Sequence, residues 1–192
     1  MRNPIRLKNV NFRYLPWYGL GAVALLWSQP DPVSFGWGAA LAVSGLMLRC
    51  WGAGHLVKND FLTTSGPYRY VRHPLYLGTL LIGIGFALIV GGWWTLVLLP
   101  FLAGWFFFHY FPRKERSESA RLEGLYGDRF VAYREQVPAL IPWWGRVASS
   151  ESTGSESHDW SLARYSDNNE LGTLIAVLAL LLLCGLRWGL GT

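Results

Sequence analysis

The sequence predicts an all-α fold: a multispan bundle of about five transmembrane helices, with the N-terminus in the cytoplasm and an amphipathic helical segment on that side. Three observations carry this. The first is composition: of 192 residues 52% are apolar and only 15% charged, with 11 Trp and 22 Gly. A soluble domain carries about 25% charge, so this chain has too little polar surface to stay dissolved. Disordered chains, coiled coils and disulfide scaffolds are excluded on the same ground. The second is charge spacing, because the 40 residues between Arg72 and Arg113 contain no Asp, Glu, Lys or Arg. As helix that run is about 60 Å long, twice a hydrocarbon core of about 30 Å. It therefore folds back, at Gly91-Gly92-Trp93-Trp94. The third is the placement of basic residues. With the N-terminus inside, segments 1–13, 49–72 and 113–170 hold 16 of the 17 Lys and Arg, leaving Arg187 outside, as the positive-inside rule requires.

The elements follow in order. Uncharged runs at 14–30, 32–48 and 171–186 hold 16 or 17 residues each, enough to cross when flanking aromatics and arginines snorkel to the interface. Spans are expected at 14–29, 33–52, 74–90, 93–111 and 170–188. Pro16 sits in the first turn of its span, where its nitrogen has no intrahelical partner to lose. Residues 1–145 form a membrane-embedded core, 146–169 a Ser-rich mobile linker on the cytoplasmic side, and 170–192 an additional C-terminal helix. The basic N-terminus is not a cleaved leader, since Trp27-Ser28-Gln29-Pro30 lacks the small-residue cleavage pattern.

Several functions are excluded. The net charge of +5 belongs to an inner membrane face beside anionic lipid, and no soluble basic surface points to nucleic acid. Cys50 and Cys184 fall at opposite faces, so no disulfide is expected. Neither C-x-x-C nor H-E-x-x-H occurs, so no metal site is expected. Gly19-Leu20-Gly21-Ala22-Val23-Ala24 imitates a dinucleotide fingerprint, but it lacks the preceding strand and lies inside a span.

Two cytoplasmic segments concentrate the polar chemistry. In 54–78, Ser65-Gly66-Pro67 is turn chemistry and Arg72-His73-Pro74 opens the long uncharged run. Pro74 suits a first helical turn. A guanidinium and an imidazole at a helix N-terminus bring donors, positive charge and the helix dipole together, which suits a carboxylate or phosphate. The same residues also suit an interfacial anchor, with Tyr68, Tyr70 and Tyr76 as an aromatic belt. In 113–138, Leu122, Leu125, Tyr126, Phe130 and Tyr133 recur at helical steps with a break at Gly127. Lying along the membrane surface, this segment brings Glu118 to the mouth of the bundle. Alternatively, Glu118 is a solvated acid paired with Arg121 or Lys114. His109 is read as facing the interface. Gly78, Gly83 and Gly85 serve close helix packing or a cofactor channel.

Here the chain resembles the isoprenylcysteine carboxyl methyltransferase and phospholipid methyltransferase superfamily of integral-membrane enzymes. One motif of that group, G-P-Y-x-x-x-R-H-P-x-Y-x-G, is present without a gap as Gly66-Pro67-Tyr68, Arg72-His73-Pro74, Tyr76 and Gly78. A second, E-E-x-x-L-x-x-x-F-G-x-x-Y-x-x-Y followed by V-P-x-x-I-P, reads Glu118-Ser119, Leu122, Tyr126-Gly127, Phe130, Tyr133, Val137-Pro138 and Ile141-Pro142. Ser119 replaces the second acid and Phe130 the first of the later tyrosines. If both acids hold the cofactor, binding here is weaker or remodelled.

The resemblance implies S-adenosylmethionine as methyl donor, S-adenosylhomocysteine (SAH) as product and a lipid or lipidated acceptor carrying a carboxylate or amine head. It implies a cofactor set of Leu62, Thr63, Gly66, Tyr68, Arg72, His73, Tyr76, Gly78 and Glu118, with His73, Arg72 and Tyr76 nearest the chemistry. By physical matching, Arg72 and His73 take the carboxylate and Glu118 the ammonium or a ribose hydroxyl. Tyr68 and Tyr76 face the sulfonium, and Leu62 and Thr63 run along the adenine. This reading requires imidazole 73 and carboxylate 118 to face one pocket. The alternatives are an NADPH-dependent reductase of sterol-reductase type, with Arg113, Lys114 and Arg116 near a 2′-phosphate, and a non-catalytic lipid-binding protein of the same fold.

Overall fold

The structure, a computed structural model, describes residues 31–57, 61–142 and 159–190. The span expected at 14–29 lies outside the described residues, as do the basic segment 1–13 and most of the Ser-rich tract. The described residues are helical throughout their ordered elements and contain no strand.

Helix α1 (Pro32–His55) starts where its sequence requires: the Asp31 carboxylate accepts from the backbone N–H groups of Val33 and Ser34, both at 3.0 Å, and Pro32 occupies the first turn. Helix α2 (Pro74–Val90) likewise begins on a proline and ends at Gly91. Gly91 (φ 73°) and Gly92 (φ 55°) then make the turn back, in the left-handed region that glycine enters without a Cβ penalty. Helices α1 and α2 meet along small residues. A Cβ added to Gly38 would lie 2.5 Å from Gly85 O, and one added to Gly45 would lie 2.6 Å from Gly78 O. Backbone at that range cannot yield, so the glycines of α2 serve close packing against α1, while Gly83 receives Leu102.

Helix α3 (Gly92–Tyr126) is one continuous element of 35 residues, where the sequence suggested a span ending at 111 and a separate segment lying on the membrane surface. It contains a π-helical turn, Trp105–Tyr110. The Phe111 N–H bonds back to Phe106 O, and this wider step directly precedes Pro112, relieving the clash a proline ring makes with the carbonyl four residues before it. Beyond Pro112 the run is rich in Glu, Arg, Ala and Leu, strong helix formers that carry the helix onward. The π turn also brings Phe106, Tyr110 and Phe111 to the side facing α2, where Phe106 packs with Leu80 and Leu140.

Gly127 (φ 54°) ends α3, and α4 (Asp128–Gln136) folds back, burying Phe130, Tyr133 and Val137 against Leu62, Leu122 and Tyr126. After 158 the chain re-enters as a short helix α5 (Leu162–Asp167) and the apolar α6 (Leu171–Leu190). The last stretch of the tract expected to be a linker is thus built into the fold. Trp188 of α6 stacks on Phe35 of α1, ring centroids 5.6 Å apart.

Among the described residues, three helices can cross a membrane by length and composition: Pro32–His55, Gly92–Tyr126 and Leu171–Gly189; the apolar Pro74–Val90 is shorter. Their outward faces, including Trp93, Leu96 and Phe108, remain exposed, as suits contact with lipid. The chain is an integral membrane protein.

Candidate functional site

The site is built where α2 begins. Gly66 has φ +59°, and a Cβ there would meet the His55 ring at 2.5 Å, so glycine is needed for both turn and contact. The short 3₁₀ turn Gly66–Arg69 carries Tyr68 inward. Arg72 and His73 follow, just before Pro74. Their backbone is held by the segment after α4: Arg72 N–H donates to Pro138 O at 2.9 Å and His73 N–H to Ala139 O at 3.0 Å. Arg72 Nε donates to Val137 O at 3.1 Å, and the Tyr133 hydroxyl donates to Tyr68 O at 2.7 Å. The two sequence motifs are therefore two halves of one structure, joined by backbone hydrogen bonds.

The charged continuation of α3 supplies the carboxylates. Glu115, Glu118 and Ser119 sit at three- and four-residue steps, hence on one face. Glu115 pairs with Arg72 (Nη1 to Oε1, 2.7 Å) and with His73 through Nε2. Glu118 lies 3.4 Å from His73 Nδ1 and accepts from the Tyr76 hydroxyl. Ser119 Oγ donates to Glu115 at 3.2 Å. His73 is 7% exposed, stacks on Tyr76 at 5.3 Å and meets the edge of Phe111 at 5.8 Å. Arg72 Nη1 and His73 Nε2 are both buried and both held by the Glu115 carboxylate.

These contacts set the charge states. Burial disfavours the imidazolium, but the hydrogen bonds and charges of Glu115 and Glu118 outweigh it and raise the His73 pKa above its ordinary value. Glu115 lies beyond the apolar part of α3. Burial pushes its carboxyl up, yet His73 and then Arg72 prevail and hold it at about 2. His73 and Tyr76 together draw Glu118 below the usual carboxylate range, again against burial.

A cavity of about 220 Å³ opens beside this cluster. Of the residues singled out from sequence, Leu62, Thr63, Tyr68, Arg72, His73, Tyr76 and Glu118 line it. Gly66 and Gly78 do not: Gly66 is pressed on His55 and Gly78 on Arg49 and Gly45, so both shape the walls from behind. The Thr63 hydroxyl accepts from Val57 N–H at 3.0 Å, which fixes the loop. Glu115 was missed from sequence. Its signal was its position, three residues before Glu118 and four before Ser119. Arg121, Tyr126, Phe130 and Tyr133 also line the cavity; sequence reading placed the last three in an amphipathic pattern and in the second motif, but not in the site. His109 pairs with Arg113, 3.2 Å away on its own helix, apart from the cavity.

A family model described as phospholipid methyltransferase matches residues 35–129. A protein-S-isoprenylcysteine O-methyltransferase from Schizosaccharomyces pombe is 35% identical over 85 residues, 44% of this chain and 34% of that protein. The protein of the same name from Xenopus laevis is 31% identical over 95 residues, 46% of this chain and 31% of that one. The cobalt-zinc-cadmium resistance protein CzcN of Cupriavidus metallidurans is 34% identical over 119 residues, 60% of this chain and 51% of that protein. The chain thus spans a third to a half of the length of the curated relatives it matches. No solved structure matches it.

Proposed function

Because the chain belongs, over residues 35–129, to the phospholipid methyltransferase family, we propose that it is a membrane methyltransferase using S-adenosylmethionine as donor, with its site on the cytoplasmic face. The carrying observation is convergence: His73 and Tyr76 at the start of α2 meet Glu118, 42 residues further along than Tyr76, on the wall of one cavity.

The residues suit the donor group by group. Arg72 Nη1 and His73 Nε2 are buried donors held by Glu115, and a ligand carboxylate would share them with it. Glu118 suits an ammonium or a ribose hydroxyl, and the rings of Tyr68 and Tyr76 suit a sulfonium, worth about 0.5–2 kcal/mol. Leu62 and the Thr63 loop offer an apolar wall to an adenine. When bound, the donor supplies an activated methyl carbon. The chain's part is to orient donor and acceptor and exclude water. A carboxylate acceptor needs no base. For an amine acceptor, the hydrogen-bonded series Tyr76–Glu118–His73 offers a route for the departing proton. The exposed apolar helix faces and the names of two relatives favour an acceptor with a lipophilic body, a lipid or lipidated protein, entering from the bilayer.

Titrating the purified protein in detergent with SAH and with NADPH tests this. SAH binding without NADPH binding is expected; NADPH binding without SAH binding overturns the reading. Incubation with methyl-labelled donor and a total lipid extract then identifies the acceptor.

A further inference from the structure

Residues 159–170 lie outside the family-matched region, yet they complete the end of α1. A helix leaves its last carbonyls without intrahelical partners, and α1 has no glycine cap: Leu56 at its C-terminus is extended (φ −67°, ψ 117°). The missing donors come from more than 100 positions along the chain. Ser161 N–H and Arg164 Nε both donate to Gly54 O at 3.0 Å, and Trp160 Nε1 adds a bond to Cys50 O one turn inside the helix, also at 3.0 Å. Asn168 Nδ2 donates to Ala53 O at 2.8 Å and Leu56 O at 2.9 Å. The indole presses on Gly54, where a Cβ would lie 1.9 Å from Trp160 Nε1. At the start of α6, Glu170 takes Arg49 in a two-point pair, 2.9 and 2.6 Å. The same guanidinium donates to Leu75 O in the first turn of α2, at 2.9 Å.

Leu56 and Val57 form one wall of the cavity, and Leu75 with its neighbours Pro74 and Tyr76 another. No residue of 159–170 lines the cavity. This strap therefore grips the backbone of two walls from behind.

We infer that residues 159–170 are a positioning strap: Asn168 and Glu170 set the spacing between the end of α1 and the first turn of α2, and thereby the affinity of the cavity for its ligand. The consequence for affinity rests on the proposed donor site. The hydrogen bonds of Asn168 are the specific handle, because removing its two donors leaves Ala53 and Leu56 carbonyls unpaired and frees the α1 wall without altering any group inside the cavity.

The test uses the full chain in detergent, with Asn168→Ala, Gly54→Ala, Glu170→Ala and Glu170→Asp. SAH affinity is read by calorimetry, local opening by amide hydrogen exchange, and folding by the melting midpoint. Asn168→Ala and Gly54→Ala are expected to weaken SAH about tenfold, the equivalent of roughly one lost hydrogen bond, with faster exchange confined to 55–57 and 75–77. Glu170→Asp, which keeps a carboxylate for Arg49, retains affinity that Glu170→Ala loses. Unchanged affinity and exchange overturn the strap, as does exchange that rises evenly across α1 to α3. Wild-type protein that binds no SAH, with local exchange still responding to Asn168→Ala, sinks the donor reading and leaves the strap standing.

Discussion

Two clusters of buried charge flank the first turn of α2, and they differ in kind. On one side every nitrogen of Arg49 is engaged: Glu170 takes it at two points, while Leu75 O and Thr79 Oγ1 take a further nitrogen at 2.9 and 2.5 Å. On the other, Arg72 and His73 share two carboxylates, Glu115 and Glu118, with a cavity alongside. A charge bonded through each of its nitrogens is a fastening, joining α1, α2 and α6. A cluster of two acids and two bases that opens on space can exchange partners with a ligand that brings both a carboxylate and a cation.

The comparison can be broken by mutation. Arg49→Ala leaves Glu170 buried without its partner, and the expected loss is about 3–5 kcal/mol, visible as a large fall in melting midpoint. His73→Ala should cost less than half of that, since Glu115 keeps Arg72, yet it should abolish SAH binding by calorimetry. Equal destabilisation with SAH affinity intact would make both clusters mere fastenings.

A pH series sharpens the difference. The raised pKa of His73 stabilises the fold fully below its ordinary value of 6.5, and that contribution fades as pH rises through the folded value. The Glu115 contribution is complete above 4.5 and is lost as pH falls toward about 2. Their pair is thus strongest between about pH 4.5 and 6.5. The melting-midpoint gap between wild type and Glu115→Gln should be widest there and shrink toward pH 9. A gap that does not change with pH would rule out the assigned charge states.

The smallest effect is expected at the far end of α1. Asp31→Ala removes the N-terminal cap and should cost about 1 kcal/mol, with SAH affinity unchanged. A binding loss there would show that the end of α1 distant from the site also sets the cavity.

Local signals were legible. Pro74 announces a helix start, Gly91-Gly92 the turn and Gly127 the end of α3, because each depends only on φ or on a missing N–H. The motif residues Arg72, His73, Tyr76 and Glu118 were legible as a set. Their partners were not. Glu115 reads locally as one more acid on a solvated face, and Ser119 as a lost acid; the fold turns Ser119 into a hydrogen-bond donor to Glu115. The continuity of α3 was missed because hydropathy ends at Arg113 while helical propensity does not. The role of Asn168 is invisible in its own neighbourhood, since what it binds lies 112 and 115 positions away.

The sequence by itself determined that this is a helical membrane protein, where its helices begin and turn, and which residues carry polar chemistry, because burial in lipid and backbone sterics act on each stretch independently. Tertiary structure alone decided which charge meets which, that one cluster fastens three helices and the other opens on a cavity, and that residues 159–170 close the end of α1. Hydrogen bonds and ion pairs act over about 3 Å, and only the folded chain brings groups so far apart in sequence within that reach.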